Sequence, residues 1–303
     1  MGKPKKGKLH TIAFHLNTLE RGGAERVVST LANRFAEAGY EVYVTTEWYG
    51  NVEFALDPRV KRVHVGLRES DEKKGRPAKF LLRIKYLRDF LKEVRPDVCV
   101  SFTYRPNYRS LTAALFTGVP VVISVRNNPD AFYTDWTDDL QERLLFPTAA
   151  GCVFQTADQR AFFARYNVLQ EGTRVIVNPI NPKYLETEIP PYEGREKRIV
   201  QSSRPADFKN QRMLVDAFLE VHEKHPDYVL EIYGPDAGDG IEEALKKQIE
   251  SHDAGSCIRL MGGSNTLETD LIGAQVFCLS SDYEGMPNVL LPCLYGRYCT
   301  RSF

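Results

Sequence analysis

The sequence predicts an α/β protein built as two Rossmann-like doubly wound lobes, the second of them incomplete. Three observations carry that prediction. Short β-rich runs alternate with stretches of helical spacing along the whole chain. Several of those runs are apolar throughout, as expected of parallel strands covered on both faces. The alternation breaks once, at residues 181–195 (NPKYLETEIPPYEGR), which are rich in proline and charge and read as a linker. The length of 303 residues fits two domains. The expected organisation is a first lobe over 1–180, a linker over 181–196 and a second lobe over 197–303.

In the first lobe, strands are expected at 10–17, 41–47, 61–66, 97–102, 120–126, 151–156 and 174–178. Helical spacing fills 25–38, 77–94, 107–117, 138–147 and 157–166. Gly39 stops the first helix, and Arg95-Pro96 closes the second. In the second lobe, strands at 198–203, 228–233, 257–261 and 275–279 alternate with helices at 211–225, 240–252 and 266–272. A helix should open near Pro287, but residues 292–303 (PCLYGRYCTRSF) have no amphipathic face. That predicts a chain truncated or frame-shifted after about Leu291, with a last strand left without cover.

Composition narrows the class. Hydrophobic residues make up 43% and charged residues 26%, which excludes a mainly disordered chain. No apolar run approaches the ~18 residues of a membrane span, and the apolar run after the basic N-terminus is too short for a signal peptide. The six cysteines form no CxxC pair and read as reduced core residues of a cytosolic protein. The net charge is zero, yet residues 1–150 carry +6 and residues 151–303 carry −6. Lobes of opposite charge imply unlike partners.

In open α/β sheets, ligands bind beyond the carboxyl ends of the strands. Three loops there carry chemistry. After the first strand, Gly22 and Gly23 precede a helix whose free N–H groups suit a phosphate. After the first strand of lobe two, Arg204 and Lys209 bracket a turn and offer two cations to a diphosphate. Near the end, Glu284 and the run Met286, Pro287, Asn288 and Val289 would set a carboxylate and backbone N–H groups against a ligand. The Gly-Gly turn is expected to face the other two loops across a cleft.

These pieces stand in a familiar order. GGAERV (22–27), RNNP (126–129), CVFQT (152–156), VIVNPI (175–180), the S-R-x4-K-N turn (203–210) and SDYEGMPNVLL (281–291) resemble the retaining glycosyltransferases of family 4. The resemblance implies the two-lobed GT-B fold. It also implies transfer of a hexose or N-acetylhexosamine from a nucleoside-diphosphate sugar to a surface polysaccharide or lipid-linked glycan. Arg204 and Lys209 would hold the diphosphate and stabilise the leaving group, and Glu284 would contact the transferred sugar. Gly22, Gly23 and the backbone of residues 286–289 would line the donor, and Arg126 and Asn127 the acceptor side. Family members need neither metal nor cofactor, and no Asp-x-Asp pair of the metal-dependent kind is present. One position departs: the family's second glutamate, eight residues after Glu284, is Pro292 here. A catalytically dead nucleotide- or sugar-binding protein is the alternative that this departure and the short tail leave open.

Residues 68–95 interleave cations with apolar side chains, a pattern that fits either a core-packed helix with a solvated basic face or a helix resting on anionic lipid; the second would make a cytoplasmic protein peripheral to the membrane. A nucleic-acid partner is not expected, because no aromatic platform accompanies the basic stretch and the other lobe is acidic. Among the six histidines only His222 and His225 are closely spaced, at the end of a helix where cations are favoured anyway. There is no GxSxG elbow for serine catalysis.

Overall fold

The computed structural model describes residues 9–20, 22–50, 52–132, 136–166, 172–179, 186, 188, 190–236, 238–264 and 266–289. The chain separates into two compact units, residues 1–179 and 180–303.

The first unit holds strands β1 (Thr11–Leu16), β2 (Glu41–Thr46), β3 (Lys61–His64), β4 (Val98–Phe102), β5 (Val121–Ser124), β6 (Gly151–Phe154) and β7 (Thr173–Val175). They pair in parallel in the order β3-β2-β1-β4-β5-β6-β7. Its helices are α1 (Gly23–Glu37), α2 (Arg76–Val94), α3 (Tyr104–Ala114), the single turn α4 (Pro129–Phe132), α5 (Trp136–Leu145) and α6 (Ala157–Phe163). Each strand has two dry faces. On β1, Ile12, Phe14 and Leu16 pack under Val28, Ala32 and Ala36 of α1. Ala13, on the opposite face, joins Leu91 of α2, Leu111 of α3 and Phe146. The pleat still has period two, and helices on both sides hide it from the hydrophobic pattern.

Helix ends follow backbone chemistry. Gly39, at φ +87°, terminates α1. Arg95 takes the left-handed conformation at the end of α2, just before Pro96. Helix α3 begins three residues earlier than its spacing indicates, because Pro106 falls in the first turn, where its missing N–H costs nothing.

The second unit holds β8 (Glu196–Ser202), α7 (Gln211–Lys224), β9 (Val229–Tyr233), α8 (Ile241–Ser251), β10 (Ile258–Gly262), α9 (Leu267–Ile272) and β11 (Ala274–Phe277). The order is β10-β9-β8-β11, again parallel. Leu214, Val215 and Phe218 of α7 and Leu245 and Ile249 of α8 cover one face over Leu230, Ile232 and Ile258. Leu271 of α9 covers part of the other, over Val200 and Phe277, and Val289 packs there too. Strand β8 starts at Glu196, and Gln275 Nε2 donates to the carbonyl of buried Arg195 at 3.1 Å. The end of the stretch read as linker is thus built into the second lobe. Most of residues 180–189, and the whole of 290–303 with Pro292, lie outside the described residues.

Both sheets contain a reversal of strand order, between β1 and β4 in the first and between β8 and β11 in the second. At such a point the connections leave in opposite directions and open a crevice at the carboxyl edge.

Candidate functional site

In lobe two the residues singled out by sequence flank the β8/β11 reversal. Arg204 follows β8, and its side chain is exposed with no ion-pair partner among the described residues. The chain then makes a 3-10 turn at Asp207–Lys209 and passes through Asn210, left-handed at φ 52°, into α7. Glu284 follows β11. Lys209 Nζ pairs with Glu284 Oε1, and both side chains are largely buried. Ser281 Oγ donates to the same Oε1 at 2.7 Å.

The two loops are pinned at further points. Ser280 Oγ donates to the Lys209 carbonyl at 2.6 Å, and Asp282 N donates to the Phe208 carbonyl at 2.9 Å. Asn210 Nδ2 donates to Asp282 Oδ1. The rings of Phe208 and Tyr283 stack 4.9 Å apart at 8°. One cation and one carboxylate are therefore held in place, and the loop that carries the cation also carries the exposed guanidinium of Arg204. Such a set can neutralise an anionic leaving group and accept hydrogen bonds from hydroxyls. Met286, Pro287, Asn288 and Val289 are half-buried. Asn288 and Val289 form a turn, so the helix expected at Pro287 has not begun within the described residues.

Sequence reasoning missed the loop after β9. Gly234 lies so close to the Arg204 turn that a Cβ on it would stand 2.2 Å from the Ser203 carbonyl oxygen and 2.9 Å from Arg204 N. Ser203 N donates to the Tyr233 carbonyl at 2.9 Å and Gly234 N to the Gly262 carbonyl at 2.8 Å. Glycine directly after a strand, in GPDAGDG (234–240), was the available signal.

In lobe one, Gly22 caps α1 in an extended conformation open to any residue, and the Glu25 carboxylate occupies the space that a side chain there would take. Arg126 follows β5 and is already engaged. Its Nε donates to Ser124 Oγ at 2.8 Å, its Nη1 donates to Asn178 Oδ1, and its guanidinium sits 4.8 Å from the Phe102 ring centroid. Burial lowers its pKa to about 10. The Asn127 carbonyl accepts from Gln159 Nε2 at 3.1 Å, and its side-chain Oδ1 is buried with no hydrogen bond among the described residues.

A second cluster escaped the sequence. At the β1/β4 reversal, Arg109 of α3 pairs with buried Glu47, just past β2, and donates to Asn17 Oδ1, just past β1, at 3.2 Å. Arg83 of α2 reaches the other Glu47 oxygen at 3.1 Å. His15 Nε2 lies 3.9 Å from Glu47 Oε1, and its Nδ1 is 3.0 Å from Thr45 Oγ1. Burial, then the Arg109 charge, lowers the His15 pKa to about 3. Desolvation raises Glu47, against the pull of Arg109. Among the described residues no three carboxylate, imidazole or thiol groups converge to hold a metal ion.

The profile of Glycosyltransferase Family 4 matches residues 21–184, and that of Glycosyl transferases group 1 matches residues 186–294. The chain belongs to glycosyltransferase family 4. This glycosyltransferase is 25% identical over 295 residues to the GalNAc-alpha-(1->4)-GalNAc-alpha-(1->3)-diNAcBac-PP-undecaprenol alpha-1,4-N-acetyl-D-galactosaminyltransferase of Campylobacter jejuni, covering 96% of this chain and 78% of that one. An uncharacterized glycosyltransferase of Haemophilus influenzae is 21% identical over 281 residues, covering 93% and 76%. Among solved structures, Anabaena HepE in complex with UDP and glucose superposes with a TM-score of 0.76 at 15% identity, covering 95% of this chain and 79% of that one. WaaG, a glycosyltransferase involved in lipopolysaccharide biosynthesis, gives 0.71 at 16%, covering 95% and 79%. The glycosyltransferase therefore has the GT-B fold.

Proposed function

We propose that this glycosyltransferase moves a hexose or N-acetylhexosamine from a nucleoside-diphosphate sugar to a surface polysaccharide or lipid-linked glycan, with retention of configuration. The reading rests on one observation above all: the Lys209–Glu284 pair at the β8/β11 reversal, with exposed Arg204 on the same loop as Lys209. Arg204 would fork the two phosphates, and Lys209 would turn part of its charge onto the leaving diphosphate as the glycosidic bond breaks. Glu284, held by Lys209 and Ser281, would accept hydrogen bonds from the sugar's hydroxyls. In the first lobe, the backbone at Gly22 and Gly23 would bind phosphate, and Arg126 and Asn127 would stand on the acceptor side. No metal is needed in this scheme, because the two cations meet the phosphate charge.

The Campylobacter relative is named for an acceptor on an undecaprenyl diphosphate, and that supports a lipid-linked glycan as acceptor here. Helix α2 fits such a site. Arg83 and Arg88 serve the fold, the latter donating to the Thr112, Ala113 and Leu115 carbonyls at the end of α3. Lys73, Arg76 and Lys92 stay exposed, and on α2 so do Phe80 at 51% and Leu81 at 64% exposure. These would rest on anionic lipid without spanning it, and no described helix is long and apolar enough to cross a membrane.

The test is a panel of UDP-, GDP-, ADP- and CDP-linked sugars incubated with the protein and an undecaprenyl-diphosphate glycan, with and without EDTA. Transfer of one sugar in α linkage, insensitive to EDTA, is expected. Donor binding without hydrolysis or transfer would sink the enzymatic reading. Failure to co-sediment with phosphatidylglycerol vesicles at low salt would remove the membrane.

A further inference from the structure

Gln211, the first residue of α7, is 2% exposed, and sequence reasoning gave it no role. Its carboxamide reaches back to the turn after β8. Nε2 donates to Ser203 Oγ at 3.0 Å and to the Arg204 carbonyl at 3.2 Å, while Oε1 lies 3.5 Å from Ala206 N. The orientation of this amide follows from its partners, since a carbonyl needs a donor and an N–H an acceptor. Ser203 Oγ also lies 2.6 Å from Nε2 of Gln201, a side chain with no exposure. The buried Gln211 amide thus holds the backbone from which the exposed Arg204 side chain projects, and the Gln201 amide holds the same Ser203 hydroxyl. Lys209 has separate supports in Glu284 and Ser280.

From this arrangement we infer that Gln211 is a positioning residue for Arg204, acting on the donor through the shape of the 203–206 turn. The inference rests on the proposed reading that Arg204 binds the donor diphosphate. An arginine presents its fork usefully only if its backbone is fixed, because ordering a free side chain on binding costs rotamer entropy. Without Gln211 the Arg204 carbonyl loses its buried donor, and the turn relaxes to find another partner. The guanidinium remains present but is no longer aimed.

The experiment is a double-mutant cycle read by calorimetric titration with UDP, GDP, ADP and CDP. Gln211→Met keeps the length of the side chain and removes its hydrogen bonds. It should weaken the nucleoside diphosphate that binds best about 10-fold in the wild-type background. The same weakening is expected in Lys209→Ala, and none beyond the effect of Arg204→Ala in the Arg204→Ala background. Urea midpoints taken alongside show whether each variant folds, and Gln211→Leu replaces any Met variant that does not. Equal weakening in all three backgrounds would mean that Gln211 supports the lobe in general, and overturns the inference. So would unchanged affinity in Gln211→Met. If Arg204→Ala itself binds as tightly as wild type, or no nucleoside diphosphate binds wild type at millimolar concentration, the donor reading fails and the inference falls with it.

Discussion

Lys209 and Glu284, 75 residues apart in sequence, form an ion pair across the strand-order reversal of the second lobe. The pair joins the loop after β8 to the loop after β11. Neither side chain is fully exposed, so water screens the attraction less than at an open surface. Under the proposed function, the contact would hold the cation and the carboxylate ready for charge that develops only when the sugar departs.

Removing that preparation should show in turnover more than in folding. Glu284→Gln keeps the shape and drops the charge, and kcat is expected to fall about 100-fold or more. The Arg204→Ala, Lys209→Ala double variant should lose about 1,000-fold or more in kcat/KM. Steady-state rates with the cognate donor measure both. Near-normal rates in either would take those side chains out of the chemistry.

Glu47 stands between two arginines in the first lobe, and its loss should act on stability. Glu47→Ala would leave Arg109 buried with no carboxylate, at a cost of about 3–5 kcal/mol. Glu47→Gln retains an acceptor and should cost less. Urea unfolding followed by tryptophan fluorescence measures this, since Trp48 adjoins the cluster and Trp136 lies in the same lobe. A loss under about 1 kcal/mol in Glu47→Ala would show that Arg83 and Arg109 find other partners.

His15 gives the same lobe a pH dependence. Its folded pKa of about 3 lies below the ordinary 6.5, so the unfolded chain takes up a proton that the folded chain refuses. The stability due to the neutral imidazole is complete above pH 6.5 and is lost as pH falls toward 3. Roughly 2 kcal/mol should disappear between pH 7.5 and pH 5. His15→Gln, which cannot titrate, should flatten the unfolding free energy over that range. An unchanged slope in the variant would assign the pH dependence to other groups.

What was legible in the sequence was whatever repeats locally. The alternation of strand and helix placed both sheets, because an apolar run ended by Gly or Arg-Pro is a local signal. Arg204, Lys209 and Glu284 could be singled out because loops after parallel strands are where ligands bind. That Lys209 would meet Glu284 was not legible, since the contact depends on β11 returning beside β8. Glu47 and Arg109 were invisible for the same reason: each is an ordinary charged residue until the order β2-β1-β4 brings their elements together. Gln211 looked like one more polar residue at a helix start. Arg83 and Arg88 read as solvated cations of a basic helix until their acceptors, Glu47 just past β2 and the carbonyls at the end of α3, came into view.

Gly234 offers the sharpest test of how closely the loops after β8 and β9 are fitted. A methyl group there would overlap the Ser203 carbonyl oxygen and crowd Arg204 N, both of them backbone atoms that cannot rotate away. The backbone is also at φ 157°, where a side chain adds strain. Gly234→Ala should therefore push the Arg204 turn away from β9 and break the Ser203 N bond to the Tyr233 carbonyl. A stability loss of about 1–3 kcal/mol is expected. Donor affinity should fall by about 10-fold or more, because the displaced turn carries Arg204. Thermal unfolding and nucleotide titration on the same sample separate the two effects. Full donor affinity in a destabilised Gly234→Ala would mean that the loop after β9 braces the lobe without shaping the site.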